Sequence, residues 1–188
     1  MGPPNAPVRI VDFTDIRCGH CRHLNDEIHK IERLAPADSF SVEARHFPLD
    51  SECNPVVRAT DGTGVRCAAA RALICLEGKP GFWDTHTRLY EESERLTKAR
   101  VLDLASQGGL ARPELERCMA SPETAVKLKA DIDYAMLFNP EGTPLVLVNG
   151  RRATPVGPFL FALIVAGGRV DAPAFAVLPQ PSLPGLAP

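Results

Sequence analysis

Between Val8 and Phe47 the chain runs strand, helix, strand, and no other stretch constrains the fold as much. Val8-Arg9-Ile10-Val11-Asp12-Phe13 is an almost continuous apolar run, the pattern of a strand buried on both faces. From Cys18 the period changes. Leu24, Ile28, Ile31 and Leu34 recur at the spacing of one helical face, and Pro36 stops the helix. Phe40 to Phe47 then alternates as a second strand. A helix joining two strands makes them parallel, with a right-handed crossover.

The middle of the chain is different. Asp50 to Gly64 is a polar loop, and Cys67 to Leu76 is apolar almost all round, a buried helix. Further helices are expected over Phe82 to Glu94, Ala99 to Gln107, from Pro113, and from Ala125 to Leu137 after the cap-plus-proline signal Ser121-Pro122-Glu123. Strand signals return at Pro144 to Val148. Asn149-Gly150 marks a hairpin, with Arg151 to Thr154 as the return strand and Phe159 to Ala166 as a last helix. The expected class is α/β, βαβ … ββα interrupted by an all-helical insertion. Residues 5–62 and 138–168 make the α/β unit, 63–137 the insertion, and 169–188 a proline-rich C-terminal tail, read as loose from Ala172 to Pro188.

Charge excludes some functions. With 21 basic and 23 acidic residues, net −2, nothing points to nucleic acid or an anionic membrane. The longest apolar run, Phe159 to Ala166, is too short to span a bilayer. Six cysteines are too few for a small disulfide scaffold and more than an inert core needs. No secretory signal opens the chain, so either the protein is cytosolic or a signal or membrane anchor lay upstream.

Cys18-Gly19-His20-Cys21 lies where the first strand hands over to the first helix. Two intervening residues at a helix start bring two sulfurs within bonding range. The helix N-terminus, with its unpaired N–H groups, stabilises a thiolate at Cys18. His20 can add charge or a hydrogen bond to it. The competing reading is half of a zinc site, with His23 nearby, but a structural site needs four ligands and no second pair exists. The expectation is a redox dithiol with no metal and no cofactor beyond a Cys18–Cys21 disulfide.

Asp12 interrupts the first strand six residues before Cys18. Buried beneath the dithiol, it would have a raised pKa and could accept a proton from Cys21. The alternatives are a solvent-facing carboxylate or one paired with a lysine. Gly142-Thr143-Pro144 precedes the third strand, where a cis bond would leave the Thr143 backbone free for a substrate strand.

These residues together resemble the thioredoxin superfamily, and within it the DsbA-like bacterial thiol-disulfide oxidoreductases. The resemblance covers residues 5 to 168 and rests on Ile10-Val11-Asp12-Phe13, Cys18-Gly19-His20-Cys21, Gly142-Thr143-Pro144 and Val148-Asn149-Gly150-Arg151. It implies a thioredoxin-like fold with a helical insertion. It makes Cys18 the nucleophile, Cys21 the resolving thiol, Asp12 the buried acid, Pro144 the cis-proline and Thr143 the substrate contact. It also implies reduced or misfolded protein substrates, a quinone-linked membrane reoxidant of the DsbB or vitamin K epoxide reductase type, and a periplasmic or other extracytoplasmic location. Gly19-His20 resembles the dipeptide of disulfide isomerases, so an isomerase or reductase is the alternative within the fold. A non-catalytic peptide- or metal-binding module is the alternative outside it.

Four cysteines remain. Cys67 and Cys75, eight apart on one helix, stand about 12 Å apart along its axis, beyond disulfide reach. That leaves 53–67 with 75–118, 53–75 with 67–118, or free thiols. The candidate bridge is Cys53–Cys67, closing the polar loop, whose flanking residues resemble a loop of DsbA-like domains. Cys75 and Cys118 are read as packed core thiols.

Overall fold

The computed structural model describes residues 1–169 and 171–178. Four strands, β1 (Val8–Thr14), β2 (Phe40–His46), β3 (Leu145–Val148) and β4 (Arg151–Ala153), form one sheet in the order β2-β1-β3-β4. β1 is parallel to β2 and antiparallel to β3, which pairs antiparallel with β4. The crossover between β1 and β2 is α1 (Gly19–Leu34). Asn149 and Gly150 both take positive φ, 49° and 77°, as the tight hairpin between β3 and β4 requires. The Asn149 side chain accepts the Arg9 N–H at 2.8 Å and donates to the Pro7 carbonyl at 3.1 Å, pinning the hairpin to the start of β1.

Between the two halves of the sheet come α2 (Val65–Leu76), α3 (Phe82–Glu91), α4 (Lys98–Ala105), α5 (Arg112–Ala120) and α6 (Pro122–Met136). Ser121 caps α6 through Thr124 N–H, and Thr97 caps α4 through Arg100 N–H, so both chain reversals carry their own start signals. α2 is buried on nearly every side, which its all-round apolar sequence requires. α7 (Gly157–Val165) and α8 (Pro173–Ala176) close the chain.

The sheet is covered on both faces. Val8, Ile10, Val42, Val146 and Val148 pack with residues of α1, α7 and α8. Phe13, Leu145 and Leu147 pack with residues of α2 and α6. Continuous apolarity in β1 and β3 follows from this double burial. Among the described residues no helix is long and apolar enough to cross a membrane.

Two expectations need correction. Residues 172–178 are not a loose tail. Pro173 starts a short helix, where its missing N–H costs nothing, and Phe175 is fully buried beside Ala172 and Leu178 in the core under the sheet. The rest of the proline-rich tail, 179–188, lies outside the described residues. Nor are Cys75 and Cys118 packed thiols. They form a disulfide, Cα to Cα 6.0 Å, joining α2 to α5. Cys53 and Cys67 form another, with Cα atoms 5.8 Å apart, joining the 50–64 loop to α2. Cys67 and Cys75 leave the same helix toward different neighbours, so each finds a separate partner.

Candidate active site

The turn Asp15-Ile16-Arg17-Cys18 aims the dithiol. Cys18 N–H bonds back to the Asp15 carbonyl at 3.0 Å, and the Cys18 carbonyl accepts the Arg22 N–H at 3.0 Å, the first turn of α1. Cys18 is therefore the N-cap residue, extended at φ −85° and ψ 115°, with no side-chain capping hydrogen bond but with the His20 and Cys21 N–H groups close enough to favour its thiolate. It is half-buried, whereas Cys21, one turn on, is fully buried; neither is in a disulfide.

The Cys18 thiol is lowered to about 5. The largest cause is the hydrogen bond from the Cys21 thiol. The Thr143 side chain and the N–H groups of Cys21 and His20 add to it, against partial burial. Burial pushes the Cys21 thiol far up, helped by its hydrogen bond to Cys18 and by the Asp12 charge. One sulfur of the pair is thus an anion at neutral pH and the other stays protonated.

Thr143 arrives from the far end of the chain. The Thr143–Pro144 bond is cis, and the Thr143 carbonyl accepts a hydrogen bond from the Cys18 thiol at 3.2 Å. Thr143 Oγ1 is buried and has no partner among the described residues. When Cys18 ionises its thiol can no longer donate, and this hydroxyl can turn toward the sulfur as a further donor beside the Cys21 thiol and the N–H groups.

Asp12 is only 3% exposed, and its Oδ1 has no hydrogen-bond partner among the described residues. It neither faces solvent nor pairs with a lysine. Burial first, and the Cys18 charge second, push it up to about 8. A carboxyl kept protonated near neutral pH beside a buried thiol can give or take a proton there.

His20 is exposed, and what it offers Cys18 is its backbone N–H. His46, at the end of β2, is buried. Its N–H bonds Asp131 at 3.0 Å, and burial pushes its imidazole down to about 3, so it stays neutral. Cys53 and Cys67 stand apart from the dithiol, in their own bridge.

Sequence reasoning passed over three side chains here. Asp15 is buried and paired with Arg66 of α2. Tyr90 of α3 packs in the same core cluster as Cys21. It is fully buried, its hydroxyl has no partner among the described residues, and burial and the Cys21 and Asp12 charges push its phenol up. A second acid three residues after Asp12 was a signal for Asp15. Arg66 and Tyr90 gave none, because only the fold brings them to the site.

The chain is similar to known proteins. A thioredoxin family model matches residues 1–158. Disulfide bond formation protein D of Bacillus subtilis is 30% identical over 158 residues, covering 80% of this chain and 67% of that protein. The Na(+)/H(+) antiporter NhaA 3 of Salinispora tropica is 28% identical over 151 residues, 80% of this chain but 21% of the antiporter, so the chain spans about a fifth of that relative. Among solved structures, a thioredoxin-like oxidoreductase from Silicibacter pomeroyi superposes with a TM-score of 0.72 at 24% identity, covering 92% of each chain.

Proposed function

The chain belongs to the thioredoxin family, and from that premise we propose that it is a protein thiol-disulfide oxidoreductase of the DsbA type, working as an oxidase. The observation that carries this is the asymmetry of the dithiol: Cys18 lowered to about 5 beside a Cys21 held protonated. A stabilised Cys18 thiolate favours the reduced enzyme and makes the Cys18–Cys21 disulfide a strong oxidant. The sequence relationship to disulfide bond formation protein D supports the same reading.

Catalysis starts from the Cys18–Cys21 disulfide. A substrate thiolate attacks Cys18 Sγ. A substrate–Cys18 disulfide forms, the Cys18–Cys21 bond breaks, and Cys21 leaves with the electron pair, taking a proton from Asp12. A second substrate thiolate then attacks the substrate sulfur of the mixed disulfide and expels Cys18 as a thiolate. The substrate has lost two electrons and gained a disulfide; the enzyme has gained two electrons and holds Cys18 S⁻ and Cys21 SH. Thr143, with its backbone beside Cys18, pairs with the extended substrate, and the cis Thr143–Pro144 bond presents it.

Substrates are reduced protein chains. Reoxidation falls to a separate redox partner, a quinone-linked membrane protein of the DsbB or vitamin K epoxide reductase type. Two disulfides away from the dithiol favour an oxidising, extracytoplasmic compartment. Equilibration with glutathione tests the direction. A potential near −120 mV marks an oxidase, and one near −270 mV would make the chain a reductase.

A further inference from the structure

Asp15 is a buried acid that the exchange steps leave unused. Its side chain is wholly shielded and gathers three segments. Oδ1 accepts the Arg17 N–H at 2.8 Å and is paired with the Arg66 guanidinium; Oδ2 accepts the Leu49 N–H at 2.8 Å. Its own carbonyl holds the Cys18 N–H. Arg66 sits on α2 next to the bridged Cys67, and its Nε lies 3.4 Å from Asp61. Asp61 in turn takes Arg17 at 2.9 Å, and Arg17 donates to the Leu96 carbonyl at 3.1 Å, in the connection between α3 and α4. Two arginines and two carboxylates thus alternate around the loop that delivers Cys18.

A negative charge buried near a thiolate opposes it unless a cation compensates. We propose that Asp15 and Arg66 are a positioning pair for disulfide exchange: their ion pair fixes the Cys18 loop to the helical insertion, and its charge balance sets how strongly the Cys18 thiolate is stabilised. The inference rests on the reading of Cys18 as the nucleophile. Burial pushes the Asp15 carboxyl up, the Leu49 N–H, Arg66 and the Arg17 N–H pull it down, and the Cys18 charge adds a smaller upward push, so the two sites feel each other. The other titratable groups facing Cys18 are Asp12 on β1 and Cys21 on α1. Asp61 lies behind the arginines.

The test is the equilibrium constant with glutathione at pH 7 for the full chain and its variants, with Tm measured alongside. Asp15→Asn removes the negative charge and should make the disulfide more oxidising, by about three- to tenfold. Arg66→Gln leaves Asp15 uncompensated and should move the constant the opposite way by a similar factor. Asp61→Asn, in the exposed loop, keeps the test open if a buried variant does not fold. It should shift the constant in the Asp15→Asn direction by a smaller factor, and a shift toward reducing overturns the proposal. A purely structural pair would lower Tm in both buried variants and move the constant the same way or not at all, which also overturns it. A wild-type chain that does not equilibrate with glutathione contradicts the function proposed above; normal wild-type exchange with unshifted variants contradicts the positioning pair alone.

Discussion

The Cys18 thiol lies 3.2 Å from the carbonyl oxygen of Thr143, a residue 125 positions further along the chain. The contact closes the site. It joins the strand–helix turn of the first half to the cis-proline turn of the second, across the helical insertion. In the proposed function, a substrate strand lying along Thr143 would come within reach of the Cys18 sulfur.

Thr143 also offers the thiolate a hydroxyl. Thr143→Val keeps the shape and removes that donor. The midpoint of the Cys18 thiolate absorbance titration should rise from about 5 by about one pH unit, the scale of one charge-assisted hydrogen bond. An unchanged midpoint would mean that the hydroxyl does not face the ionised sulfur.

Asp12 makes the reduced protein sensitive to alkali. Its carboxyl moves from an ordinary 3.8 to about 8 in the folded chain. The folded state therefore holds a proton that the unfolded state has released, and stability falls as pH rises from about 4 to about 8. Asp12→Asn should flatten that slope and stabilise the reduced protein near pH 8 by a few kcal/mol, on the order expected for a buried carboxylate. It should also slow substrate attack on the Cys18–Cys21 disulfide, because the departing Cys21 loses its proton donor. Denaturant unfolding at pH 5 and pH 8 checks the first effect, and stopped-flow exchange the second.

Cys18 acts with the opposite sign. Its folded pKa lies below the unfolded value, so its stabilising effect on the reduced chain is complete above about 9 and is lost as pH falls toward 5. Reduced protein should melt at a higher temperature than oxidised protein at pH 7. The gap should shrink at pH 5, as calorimetry of the two forms would show.

The Cys75–Cys118 bridge closes a long loop, with a sequence separation of 43. Replacing both cysteines with alanine should cost about 2–4 kcal/mol of stability and leave the Cys18 titration in place. After denaturation, a chain carrying Cys18→Ala and Cys21→Ala should show no free thiol. Four free thiols would remove both bridges.

What could be read from the residues depended on range. β1, α1 and the Asn149-Gly150 hairpin announce themselves in local periodicity and turn chemistry, and so does the dithiol at the strand–helix junction. The Cys75–Cys118 pairing did not, because it depends on how α5 lies against α2. His46 ends an alternating strand, but its buried place beside Asp131 of the insertion is set by the fold and not by periodicity. Phe175 sits in a proline-rich stretch, yet the sheet offers it a buried place. Asp15 was visible as an acid, but Arg66, fifty-one residues on, decides what it does.

Trapping the intermediate tests the central claim most directly. A Cys21→Ala chain, mixed with a reduced, unfolded test protein under mild oxidation, should accumulate a mixed disulfide that mass spectrometry places on Cys18. The Cys18→Ala chain should form none and catalyse no disulfide formation. A Cys18→Ala chain that keeps wild-type exchange activity would contradict the account.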